Sequence, residues 1–183
     1  MYSYPTTAEL AEMVRLLSKA RMDNWLGEGL GTWRWWVLLI LLIMPWFIWY
    51  KYVNKKQLHE ITLFGMIIII FDVTLDEIGF ELSLWHYPID VIPVLSRLTS
   101  IDYAVLPIIK MAIYQYFPTW KSYFWAIVAM SAIYSFITEP LIVRLGFYQV
   151  LKWNYMYSFF IYIAMSLCAR WIVKKIFEIA KRG

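Results

Sequence analysis

Residues 59–79 read HEITLFGMIIIIFDVTLDEIG, and their reading decides the fold. The run from Leu63 to Phe71 is apolar on every side. A helix that crosses the roughly 30 Å hydrocarbon layer of a bilayer needs about 20 mainly apolar residues. Yet Asp72 interrupts the run, Asp76 follows one helical turn later, and Glu77 stands beside it. Two carboxylates at i and i+4 share one helix face. A charge facing lipid costs at least about 2.5–3.5 kcal/mol at the bilayer centre. The stretch is therefore expected to be a transmembrane helix whose acidic face looks into a bundle.

The rest of the chain agrees. Of its 183 residues, 62% are hydrophobic, 20% aromatic and only 16% charged, where a soluble domain is about 45–50% apolar. Mean hydropathy is +0.57. These figures exclude a disordered tail, a secreted disulfide scaffold and an ordinary soluble enzyme. One cysteine, Cys168, allows no internal disulfide and no cysteine-based metal site. No cofactor and no metal are expected. The formal net charge of +4 suits an anionic membrane leaflet. No basic stripe stands apart from the membrane ends, so nucleic acid is not an expected partner. Membrane lipids are, and self-association into a homo-oligomer is left open.

Five spans are expected, near 33–51, 59–79, 103–117, 121–143 and 155–173. The fold class is thus all-α: an integral membrane five-helix bundle over residues 33–183, preceded by an amphipathic N-terminal extension over 1–32. In that extension, Leu10, Met13, Val14 and Leu17 fall at helical spacing, with Glu9, Glu12, Arg15 and Lys19 on the other face. The helix over 7–26 either lies in the headgroup layer or packs on the outer loops. Gly27, Gly29 and Gly31 are expected to form a flexible joint behind it. No signal-peptide pattern is expected there. Residues 87–98 hold Pro88, Asp90, Pro93 and Arg97 and read as an outer or re-entrant piece. The C-terminal cluster KKIFEIAKRG, residues 174–183, favours an outside N-terminus and a cytoplasmic C-terminus.

The candidate site is a polar cluster inside the spans. Lys110 falls near the middle of the third span and Glu139 in the fourth, followed by Pro140. At 1.5 Å of rise per residue, Asp72 and Lys110 come within about one turn of the same depth. They are expected to pair. Glu139 and Asp76 share a second level, which Arg97 and Asp102 could reach from the outer segment. The cluster is Asp72, Asp76, Glu77, Arg97, Asp102, Lys110 and Glu139. Pro45, Pro107 and Pro140 fall within spans, where a kink frees backbone carbonyls. His59 and His86 stand alone and make no zinc motif.

Several runs carry a resemblance: LWHYP (84–88), YQYFPTWKS (114–122), EPLIVRLGFY (139–148) and YSFFIYI (157–163). In these the chain resembles a family of small uncharacterised multi-pass membrane proteins of endospore-forming Gram-positive bacteria. The resemblance covers about two-thirds of the chain. It implies a bacterial cell-membrane location and the topology, and it implies no activity. Lys110 and Phe160 depart from the family pattern. A fainter similarity, at Ile101-Asp102 and Leu106-Pro107, is to the small membrane lycopene cyclases, whose paired glutamates are missing here.

Three functions fit this reading. The first is a non-enzymatic structural, accessory or lipid-binding envelope protein. The second is a proton or ion channel or transporter using Asp72, Asp76 and Glu139. The third is an intramembrane enzyme acting on a lipid or polyisoprenoid, which requires a lipid-sized cavity beside two carboxylates.

Overall fold

The computed structural model describes residues 4–93, 95 and 98–182. Among these residues the architecture is all-α apart from one two-residue strand pair. Helix α1 runs Thr7–Asn24, α2 Trp33–Tyr52, α3 Leu58–Glu81, α4 Leu106–Tyr116, α5 Trp120–Ile133, α6 Glu139–Arg144 and α7 Tyr155–Ala180. Two π-helical turns, Ile101–Val105 and Tyr134–Thr138, lead directly into α4 and α6. Among the described residues, three helical stretches are long and apolar enough to cross a membrane: Trp33–Tyr52, Trp120–Arg144 and Tyr155–Ala180.

Helix starts follow local chemistry. Thr6 and Glu9 cap α1 reciprocally. The side chains of Thr32, Thr119 and Asn154 accept the first free amides of α2, α5 and α7. Helix α6 ends at Arg144, and Gly146 just beyond it turns the chain with a φ of +76°, the left-handed conformation that glycine takes without strain.

Helix α3 is the axis of the packing. Its buried residues are Ile61, Phe64, Gly65, Ile68, Asp72, Asp76 and Gly79. That is one stripe at three- and four-residue spacing, and the two aspartates extend the same stripe as the isoleucines. Helices α4 and α7 pack on α3, and α5 packs on α7. Phe64, Ile68, Met111, Tyr123, Ile127 and Val173 form the core at one end of the bundle. Leu38, Trp85, Tyr87, Ile89, Val91, Leu98 and Tyr148 form a second core at the other end. There β1, Trp85–His86, pairs antiparallel with β2, Gln149–Val150. The piece expected over 87–98 thus supplies apolar side chains to this second core, while Val94, Ser96 and Arg97 lie outside the described residues.

The outward faces are apolar. Phe47 is 72% exposed, Ile70 60%, Ile137 62% and Phe160 60%. In α1 no residue is buried, and Leu10, Met13, Val14 and Leu17 are all exposed. Two expected boundaries move. The helix following Asn24 continues as a π-turn through Gly29, so Gly27 and Gly29 are helical and the break comes only afterwards. Helix α7 runs on to Ala180 rather than stopping at 173, because Glu178 pairs with Lys175 and Arg182 along its last turns.

Candidate functional site

A cavity of about 200 Å³ opens between the two cores. Its wall carries the carboxyl groups of Asp72, Asp76, Asp102 and Glu139. Aromatic side chains supply much of the rest, with Trp85, Tyr134 and Tyr162 among them. Asp72 and Asp76 reach it because they lie on the buried stripe of α3. Asp102 sits in the π-turn that leads into α4, and Tyr134 in the one that leads into α6. A proline follows each turn closely, Pro107 and Pro140. Proline has no amide hydrogen, and its ring crowds the carbonyl four residues earlier, Tyr103 or Phe136. The helix widens there, and π-turns are frequent at functional sites. Pro45 in α2 leaves the helix regular.

The carboxylates are held by specific donors. The Lys110 ammonium donates to both Asp72 oxygens, at 2.9 and 3.2 Å. The ion pair expected from helix depth is therefore present, though Lys110 lies behind Asp72 and not on the cavity wall. Trp85 Nε1 donates to Asp76 at 2.9 Å, and the Tyr87 hydroxyl donates to the same oxygen. Glu139 accepts from the Ser158 hydroxyl at 3.0 Å and the Tyr162 hydroxyl at 2.9 Å. Trp153 Nε1 in turn donates to Ser158 at 2.8 Å. Tyr162 also turns its ring face toward Lys110, whose nitrogen is 5.3 Å from the centroid. One connected network thus joins α3, α4, α6 and α7.

Of the seven expected residues, four meet on the cavity wall. Lys110 braces one of these from behind. Glu77 is half-buried on α3 and off the wall, because it is one residue past Asp76 and so faces elsewhere on the helix. Arg97 lies outside the described residues. Among the described residues, no group of histidine, cysteine and acidic side chains has a metal-binding arrangement.

Sequence reasoning missed two features. Asp76 and Glu139 are held by indole and hydroxyl donors, where Arg97 and Asp102 were expected to reach them. Arg170, inside the expected fifth span and not singled out there, is 1% exposed. Its guanidinium lies 4.3 Å from the Tyr123 ring centroid and 5.0 Å from that of Trp120. It donates to the Phe117 carbonyl at 2.9 Å and to the Pro118 carbonyl. The signal was present in spacing: Arg170 follows Ser166 by four residues and precedes Val173 by three, on the buried stripe of α7.

At the strand end, a second cavity of about 560 Å³ lies under the end of α1, with Arg21, Arg34, His86 and Asp90 on its wall. Trp25 Nε1 donates to the Asp90 carbonyl at 3.0 Å. Burial pushes the Asp90 carboxyl up to about 8, against the opposing pull of Arg21.

Compared with known proteins, the chain matches no family model, no curated protein and no solved structure.

Proposed function

We propose that the chain is a five-span membrane protein that holds the polar end of one amphiphilic lipid in the cavity beside Asp72 and Glu139. The observation that carries this reading is the cavity's edge. Leu75 and Ile78 are on its wall and are also 39% and 49% exposed on the outer face of α3. The polar interior and the apolar outside of the bundle therefore meet at this edge, as a laterally entering lipid requires. A volume of about 200 Å³ is below the roughly 300–1,000 Å³ of sites that enclose a whole drug-sized ligand. It suits a headgroup whose chain stays in the bilayer.

The five-span reading counts α3 and the helical path 99–116 with the three apolar stretches. Helix α3, at 24 residues, is about 36 Å long at 1.5 Å per residue. In this reading α1 lies in the headgroup layer, which gives its exposed leucines and methionine an apolar neighbour. The N-terminus is outside, the C-terminus is cytoplasmic, and the membrane is that of a bacterial cell, in line with the spore-former resemblance. Asp72 is engaged by Lys110, and Glu139 by Ser158 and Tyr162. That favours a binding site over a wet path for ions.

Native mass spectrometry tests the proposal on protein taken into nanodiscs with its own membrane. One lipid species retained in fixed one-to-one stoichiometry supports it. A bare protein, or a random spread of bulk lipids, overturns it.

A further inference from the structure

The cavity wall also limits what the headgroup is. Tyr134 is 5% exposed, lines the cavity, and its hydroxyl has no hydrogen-bond partner among the described residues. A buried hydroxyl without a partner is unfavourable, so this one is poised for a ligand atom. Asp72, Asp102 and Glu139 line the same cavity. Carboxylates only accept hydrogen bonds when ionised, whereas a tyrosine hydroxyl both donates and accepts.

A ligand group seated between Tyr134 and these carboxylates must donate to the carboxylates, and one that also accepts from Tyr134 satisfies the hydroxyl as a donor. An alcohol does both. A phosphate brings negative charge beside four carboxylates. The ammonium of Lys110 is already turned onto Asp72, and the described wall residues include no lysine or arginine. A quaternary ammonium carries no hydrogen-bond donor or acceptor and leaves Tyr134 as it is.

Resting on the lipid-binding reading above, we infer that the cavity selects an uncharged, hydroxyl-bearing lipid and that Tyr134 receives its hydroxyl oxygen. An acylglycerol and an isoprenoid alcohol share that chemistry.

The test uses the full chain in phosphatidylcholine nanodiscs, loaded separately with dioleoylglycerol, farnesol or dioleoyl phosphatidate, and read by native mass spectrometry. Retention of dioleoylglycerol or farnesol at least tenfold above phosphatidate is expected, and whichever is retained names the source. Equal or preferred retention of phosphatidate, or of the phosphatidylcholine host, overturns the hydroxyl assignment and leaves the lipid-binding reading standing. Retention of none of them overturns the hydroxyl assignment, and a bare protein from its own membrane as well overturns both.

Tyr134→Phe separates a ligand contact from a structural one. It removes a hydroxyl that the lipid-free protein leaves unpaired. Its thermal midpoint without added lipid is expected to be equal to or above that of the parent, while retention of the hydroxylated lipid falls at least fivefold. Unchanged retention in this variant overturns the role given to Tyr134. Should Tyr134→Phe lower the midpoint, the hydroxyl has a structural partner and the assignment fails on that ground.

Discussion

The Lys110 ammonium and the Asp72 carboxylate meet at 2.9 Å where their side chains are 0% and 2% exposed. Two charges so placed depend on each other. Removing one leaves the other buried and alone, which costs about 3–5 kcal/mol, whereas removing both is far less harmful. Lys110→Met and Asp72→Asn should each lower the thermal midpoint in nanodiscs strongly. The double variant should sit above either single one. Simply additive losses would show that the two groups do not act as a pair.

Trp85 packs against Gly79. A Cβ at that glycine would be 1.9 Å from the indole ring. The ring must therefore move in Gly79→Ala, and the Trp85 bond to Asp76 moves with it. Overpacking of this kind costs about 1–3 kcal/mol. Thermal unfolding of Gly79→Ala should show that loss. A midpoint within a degree of the parent would mean that the indole is not held in this place.

Arg170 ties the turn between α4 and α5 to α7. Its planar fork serves two carbonyls and stacks among rings, which an ammonium cannot copy. Arg170→Lys should lose about 2–3 kcal/mol, nearly as much as Arg170→Met. If the lysine variant matches the parent in thermal unfolding, charge alone accounts for the site.

Asp90 gives the strand end a pH response. Its carboxyl is raised from an ordinary 3.8 to about 8. Across that window the folded chain keeps a proton that the unfolded chain has released. Stability should therefore fall as pH rises from about 4 to about 8, and level off above. Asp90→Asn should remove this slope and be the more stable protein at pH 8. Melting curves across the window check it, and parallel profiles for parent and variant would contradict the assignment.

The parts of the site legible in the sequence were those that helical periodicity controls. Asp72 and Asp76 are on the buried stripe because Ile61, Phe64 and Ile68 are. Lys110 could be matched to Asp72 because rise per residue converts position into depth. The remainder depends on partners without a period. Ser158 and Tyr162 reach Glu139 from a different helix. Tyr87 and Trp85 reach Asp76 across a tight loop. The π-turns behind Asp102 and Tyr134 arise where a proline deletes one hydrogen bond, and Pro45 shows that a proline alone does not foretell one. The cavity itself is a gap between two cores, and a gap leaves no pattern in a sequence.

Photo-crosslinking from the methionines tests the central claim of a lipid seated in the bundle. Met165 lines the cavity and is 8% exposed. Met44 and Met66, at 54% and 57%, face outward and report the bulk bilayer, while Met111 at 1% reports the packed core. Cells grown on photo-methionine are irradiated and the peptides mapped by mass. The account predicts one defined lipid adduct at Met165, a mixture of bulk lipids at Met44 and Met66, and links only within the protein at Met111. A Met165 that behaves like Met111, or that carries the same mixture as Met66, contradicts it.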